Sequence, residues 1–304
     1  MNSIEAMAQD VRRQLDDLPR LVLPAPAAES VVAFVGSGDS YAAALAACHL
    51  SSGRATCWHP TDVISDPSLL VGRSAYFVSI SGRTRANILA ASAARKAGVA
   101  TVAITADKKS PLAMACDGVF ELGFKRAGRT SGTIGFAASA LACMHLATQG
   151  RTGCPADLKE IYAKASKAAG RLAGKVRTGP TIIILGDSFL FPAAMYGALK
   201  FNEVFGSRAQ AYPLEEFFHA PLFGLKRGDQ ILVLGTKSDD DAALARRVKG
   251  LFVDCSMPAP VESLFYAVFF VQHLALAIAK RKKLKECYFV RNKKLLKTSS
   301  DVIY

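Results

Sequence analysis

Short apolar runs recur along the chain, each followed by a turn and then by an alanine-rich stretch. The runs near Val31–Gly36, Ala75–Ile80, Ala100–Thr105 and Gly118–Leu122 predict strands. Ser40–Ser51, Thr84–Ala97 and Phe136–Thr148 have the alanine content and length of helices. Strands alternating with helices in this way predict parallel βαβ units, an α/β fold. The second half repeats the plan, with strands at Thr181–Gly186, Gln230–Gly235 and Leu251–Cys255, a helix through Ala193–Phe205 and another from Asp239. An internal duplication is the simplest explanation. Between the halves, Arg151–Lys175 is polar and lysine-rich and opens on Gly150, Gly153 and Pro155, which places a domain boundary there. The expected organisation is an N-terminal helical segment over 1–30, a first domain over 31–150, a linking helix over 151–177, a second domain over 178–285 and a C-terminal tail over 286–304.

The apolar stretch Phe265–Ala279 is interrupted by Gln272 and His273, so it is expected to be a buried helix and not a membrane span. Glu5, Asp10, Asp16 and Asp17 argue against a cationic secretory signal, and a cytoplasmic location is expected. At 304 residues and 51% hydrophobic content the chain can bury two cores of ordinary size. Its seven cysteines never fall in a C-x-x-C spacing, and its five histidines never pair at helical spacing. No metal and no cofactor are expected. The net charge of +13 suits an anionic partner, either nucleic acid or a phosphorylated small molecule. Much of the excess sits in Lys280–Lys297, which lacks the aromatic interleaving of a stacking platform, so no nucleic acid is expected.

Ser79-Ile80-Ser81-Gly82-Arg83-Thr84-Arg85 directly follows an apolar run and enters a helix. Such a junction offers backbone N–H groups, side-chain hydroxyls and a helix N-terminus to an anion. Gly36-Ser37-Gly38-Asp39-Ser40-Tyr41 is an upstream copy that could close over the same phosphate. In the second half the corresponding turns are Gly186-Asp187-Ser188 and Gly235-Thr236-Lys237-Ser238-Asp239-Asp240-Asp241. Three consecutive aspartates would repel a phosphate, so one phosphate site per chain is expected, in the first half.

Lys200 and Glu203 share one helical face, as a surface ion pair or as a functional pair. Glu216 and His219 are likewise three apart, and His219 among Phe218, Ala220 and Pro221 could equally be a core histidine.

Taken together, the turn Ser79–Thr84, the turn Gly38–Tyr41 and the block Gly197–Pro221 resemble the sugar isomerase (SIS) family of phosphosugar-binding proteins. The similarity is greatest to the isomerase half of the fructose-6-phosphate amidotransferases and runs from about Val31 to the C-terminus. It implies two duplicated SIS domains, each a parallel sheet flanked by helices in a flavodoxin-like three-layer sandwich. It implies phosphate ligands at Ser40, Ser79, Ser81 and Thr84 with the backbone of Ile80 and Gly82, and further substrate contacts at Gly38, Asp39, Thr133 and Glu216. It implies catalytic roles for Lys200, Glu203 and His219, and for Lys297, which matches a lysine that the family's tail brings to the sugar. Tyr196 and Ala220 depart from the family pattern where ring opening and loop shape are set, and Ile80 and Asp39 depart from it beside the phosphate, so discrimination among phosphosugars is expected to differ.

The chemistry so implied is proton transfer between C1 and C2 of a hexose or hexosamine 6-phosphate, with Glu203 as the carboxylate that reaches both carbons. His219, brought from a neighbouring subunit, would open the ring. A homodimer with shared active sites follows from that implication. Because the isomerase-like region starts near the beginning of the chain, no ammonia-generating domain is expected. The leading expectation is interconversion of glucosamine 6-phosphate with fructose 6-phosphate and ammonium. Alternatives are an aldose–ketose isomerase, a fructosamine 6-phosphate deglycase or a non-catalytic phosphosugar sensor.

Overall fold

A computed structural model of the chain describes residues 1–25, 31–237 and 239–304. Residues 26–30, the end of the expected N-terminal segment, and Ser238 with the side chain of Asp239, in the aspartate turn, lie outside the described residues. In order, the chain forms α1 (Ser3–Asp17), β1 (Val32–Val35), α2 (Asp39–Leu50), β2 (Ala55–Trp58), α3 (Pro60–Ser65), β3 (Ser74–Val78), α4 (Arg85–Lys96), β4 (Thr101–Thr105), α5 (Pro111–Ala115), β5 (Gly118–Glu121) and α6 (Ile134–Ala147). It continues through α7 (Leu158–Leu172), β6 (Ile182–Gly186), α8 (Phe191–Phe205), β7 (Ala209–Tyr212), α9 (Leu214–His219), β8 (Gln230–Gly235), α10 (Asp239–Arg247), β9 (Leu251–Asp254), α11 (Pro260–Arg281), α12 (Tyr288–Arg291) and α13 (Lys293–Ile303).

Two compact units result. One comprises Gln14–Arg126, Ile134–Cys154 and Lys294–Tyr304, and holds a five-stranded sheet in the order β2-β1-β3-β4-β5. Every pair in it is parallel, with Val35 beside Phe77 and Phe77 beside Ala103. Residues of β1 and β3 are buried almost throughout, as strands covered by helices on both faces must be. Val35, Phe77 and Ala103 pack with Ala90, Ala94 and Leu112 into one core. The strand order reverses between β1 and β3, which opens a crevice at their carboxyl ends.

The other unit comprises Met1–Arg13, Ala127–Thr133 and Pro155–Lys293 around a four-stranded parallel sheet in the order β7-β6-β8-β9. Its strand order repeats that of β2-β1-β3-β4, so the duplication read from the sequence is present in the topology. The helix α11 is long and apolar enough to cross a membrane. Its residues Phe265, Phe269, Phe270 and Leu274 are instead buried, and it packs on α7 and α8. The edge strands β2 and β7 carry no continuous apolar run and were not anticipated.

Candidate functional site

In the five-stranded unit, the turns after β1 and β3 stand at the ends of neighbouring strands. Ser79 is buried; its N–H donates to the Ile104 carbonyl (3.0 Å), and its own carbonyl accepts from the Gly82 N–H (3.0 Å), which closes the turn. The hydroxyls of Ser79 and Thr84 lie 3.2 Å apart, and the Arg83 N–H donates to Ser81 Oγ at 3.3 Å. Gly82 has φ +59°, and a Cβ there would collide with Ser110, so the backbone requires glycine. Thr84 stands at the N-cap position of α4 with no side-chain capping bond, and the helix's first-turn N–H groups have no partners within the helix and carry its positive dipole end. Asn87 Nδ2 donates to the Val78 carbonyl (2.8 Å) and pins that helix to the strand end. The Ile80 side chain packs against Gly135 of α6, leaving the turn to its backbone and hydroxyls.

On the β1 side, a Cβ at Gly36 would meet Ser40 Cβ at 3.1 Å, so glycine lets the start of α2 come close to the strand. Gly38 adopts φ +56° just before α2, and Asp39 and Ser40, both half-buried, form its first turn. Ser40, Ser79, Ser81, Gly82 and Thr84 therefore lie on the two turns that flank the point where the sheet reverses.

In the four-stranded unit the turns after β6 and β8 bring carboxylates to backbone donors of the chain itself. The Thr236 N–H donates to Asp241 Oδ2 (2.9 Å), and the Leu214 N–H to Asp187 Oδ1 (2.6 Å). Burial holds the Asp187 carboxyl above the usual carboxylate range, and the nearby Asp241 and Glu215 add to that. The donors that hydroxyls and a helix would offer to a phosphate in the first half are here answered internally.

A second cluster lies on α8. Lys200 is completely buried, and its Nζ is 2.7 Å from Glu203 Oε2, so the pair is an interior one and the surface alternative falls away. The ammonium also stands 5.1 Å from the centre of the Tyr196 ring, within cation–π range. Ser131 Oγ donates to the same Oε2 at 2.5 Å. Tyr196 is fully buried; its hydroxyl donates to the Gly132 carbonyl (2.8 Å) and accepts from Gln272 Nε2 (3.1 Å). The segment Ala127–Thr133 is stitched in place by Ala127 N–H to Asp10 Oδ1 (2.7 Å) and Thr130 Oγ1 to the Ser3 carbonyl (2.8 Å). Both bonds to Glu203 fall on Oε2, and its side chain keeps 37% exposure. Among the described residues none donates to Oε1, so one oxygen is anchored and the other is available to a reactant.

The remaining candidates stand apart from this network. His219 ends α9 largely exposed, 3.6 Å from Glu215, and is not a core histidine; Glu216 is exposed as well. Lys297 is exposed on α13. Thr133 is buried, and its Oγ1 has no hydrogen-bond partner among the described residues. Ser131 and Asn87 were not singled out from the sequence, and Gln272 was noted only as a break in an apolar stretch; the hydroxyl-rich run Thr130-Ser131-Gly132-Thr133 before a helix was the available signal for the first of them.

No family model matches the chain. Its sequence is 31% identical over 228 residues to the glutamine–fructose-6-phosphate aminotransferase (isomerizing) of Pyrobaculum aerophilum, a match covering 66% of this chain and 36% of that protein. The chain thus spans about a third of that relative's length. Its fold is similar to the C-terminal domain of the glucosamine-fructose-6-phosphate aminotransferase from Francisella tularensis, with a TM-score of 0.70 and 15% identity over 92% of this chain and 98% of that one. It is also similar to the glucosamine-6-phosphate deaminase of Thermotoga maritima, with a TM-score of 0.74 and 18% identity over 92% and 96% of the two chains. In fold the chain matches these sugar isomerase (SIS) structures, and in sequence it resembles part of the aminotransferases.

Proposed function

We propose that this protein is an enzyme that moves a proton between C1 and C2 of a hexose 6-phosphate while an amine leaves or enters: glucosamine 6-phosphate and water give fructose 6-phosphate and ammonium, or the reverse. The observation that carries this reading is Glu203, whose Oε2 is held by Lys200 and Ser131 while Oε1 accepts no bond from a described residue. A carboxylate fixed in this way can take the proton from one carbon and return it to the next. The turns after β1 and β3 supply the uncharged donors that suit the ester phosphate. His219 is assigned the ring-opening step, delivered by a second copy in a homodimer, and its exposure on α9 suits that assignment. Lys297 is assigned to the oxygen that gains charge as the proton leaves C2.

The test is an assay of the full chain with glucosamine 6-phosphate, glucose 6-phosphate, and fructose 6-phosphate with and without ammonium, reading ammonium release and aldose–ketose conversion separately. Ammonium release is expected, and Glu203→Gln should lower turnover on the order of a thousandfold with phosphosugar affinity retained. Conversion without amine exchange would favour the simple isomerase, and wild-type turnover in Glu203→Gln would remove the mechanism.

A further inference from the structure

The connection between α2 and β2, within the five-stranded unit, brings Cys48 and Cys57 together. Ser51 Oγ donates to the Cys48 carbonyl (2.7 Å) and accepts the Ala55 N–H (3.1 Å), and the Arg54 N–H donates to the Ser51 carbonyl (3.2 Å). Ser52 (φ +51°) and Gly53 (φ +82°) take the left-handed conformations that reverse the chain there. The end of the helix is thereby locked to the start of the strand, and the Cys48 thiol donates to the Cys57 sulfur. Tyr41 stands two helical turns before Cys48 on the same face of α2, and its hydroxyl donates to the same sulfur. The Tyr41 ring is itself fixed, stacked on His59 at 4.0 Å and 13° just beyond the end of β2.

This pair differs from the other thiols of the chain. Cys116, Cys143, Cys255 and Cys287 are buried, whereas Cys48 and Cys57 are only half-buried. Cys154 is half-buried too, but burial pushes its thiol up to about 11. The bonds from Cys48 and Tyr41 hold the Cys57 thiol below its usual range against the opposing effect of burial, while the bond to Cys57 and burial raise Cys48. One sulfur is thus prepared to attack, and a protonated second sulfur stands beside it to resolve the product.

We propose that Cys48 and Cys57 are a modification site at which a hydroperoxide forms an intrachain disulfide. In the first step the Cys57 sulfur attacks a peroxide oxygen: the O–O bond breaks, an S–O bond forms, and the thiol proton leaves with the alcohol or water released. The sulfur is oxidised and the peroxide reduced. In the second step the Cys48 sulfur attacks the Cys57 sulfur, the S–S bond forms, and the hydroxyl leaves as water with the Cys48 proton. A dithiol reductant reverses the modification. Neither step uses Glu203 or the hydroxyl turns.

The test is treatment of the reduced, folded full chain with hydrogen peroxide, followed by alkylation and non-reducing peptide mass spectrometry. Trypsin cuts at Arg54, between the two cysteines, so the disulfide joins two peptides that are otherwise separate. The chain should lose two of its seven free thiols, the Cys48 and Cys57 peptides should be linked, and dithiothreitol should restore both. Cys48→Ala should still react with peroxide but stop at a Cys57 sulfenic acid that dimedone traps. Cys57→Ala should consume peroxide about tenfold more slowly than wild type. Retention of all the thiols by the folded wild type, or a linkage between any other pair, would overturn the site without recourse to a variant. Equal peroxide rates in the two variants would overturn the assignment of Cys57 as the attacking sulfur.

Discussion

Lys200 and Glu203 form an ion pair with unequal burial: the ammonium is wholly enclosed, while the carboxylate 2.7 Å away keeps a route to solvent. Enclosing a charge is tolerable only while its partner remains. Glu203→Leu should therefore destabilise the protein by on the order of 3 kcal/mol in urea unfolding, near the low end for breaking a buried pair because water reaches the carboxylate side. Lys200→Met combined with Glu203→Leu should recover most of that loss. A double variant no more stable than Glu203→Leu alone would show that the pairing does not govern the energetics. Glu203→Gln retains an acceptor oxygen and should cost much less, which is why it suits the activity test.

Ser131 reaches Glu203 from 72 residues away and anchors the oxygen that Lys200 also holds. Its role in the proposed reaction is positioning. Ser131→Ala should lower kcat about tenfold, the value of one hydrogen bond to a charged group, while KM stays nearly constant. In a Glu203→Gln background the same change should have almost no further effect, because there is no longer a catalytic carboxylate to orient. A drop in kcat of equal size in both backgrounds would reassign Ser131 to a purely structural role.

Gly82 combines a left-handed backbone with direct contact on Ser110, so two separate costs attend any side chain there. Gly82→Ala should reduce stability by about 2–4 kcal/mol, from the backbone strain and from overpacking against Ser110. It should also weaken binding of fructose 6-phosphate, since the turn closed by the Ser79 carbonyl must shift. Adding Ser110→Gly should restore the packing share and leave the backbone share. Complete recovery would mean that the left-handed conformation costs nothing at this position.

The parts of this fold that could be read in advance share a physical property. Strands β1, β3, β6 and β8 are covered on both faces, so each appears as an unbroken apolar run. Edge strands β2 (Ala-Thr-Cys-Trp) and β7 (Ala-Gln-Ala-Tyr) are partly solvated and short, and no periodicity distinguishes them from loops. The hydroxyl turn Ser79–Thr84 was legible because its donors are contiguous. The Glu203 network was legible only in part: spacing puts Lys200 and Glu203 on one face, but burial alone separates an interior pair from a surface one. The partnership with Ser131 exists only once Ala127–Thr133 packs against its own unit. The aspartates of the second half were expected to repel phosphate; in the fold, Asp241 itself takes the Thr236 N–H.

His273, one of the two polar residues that interrupt the apolar stretch of α11, is held neutral by its surroundings. Burial lowers its pKa from 6.5 to about 4, its Nε2 has no hydrogen-bond partner among the described residues, and its ring meets Tyr162 edge-on at 4.4 Å. Between these values the unfolded chain binds a proton that the native one excludes. Stability should therefore be full above pH 6.5 and fall as the pH drops toward 4. Measured from pH 7 to 4.5, above the ordinary pKa of an aspartate and no lower than that of a glutamate, the loss from His273 should be about 2 kcal/mol. His49, also lowered by burial, adds a smaller loss of the same sign. His273→Phe preserves the ring contact with Tyr162 and removes the titration. It should flatten the profile to the residual slopes of His49 and, with the opposite sign, of Asp187, with stability at pH 7 unchanged or raised. An unaltered pH profile in this variant would show that the imidazole is solvated and free to protonate in the native state.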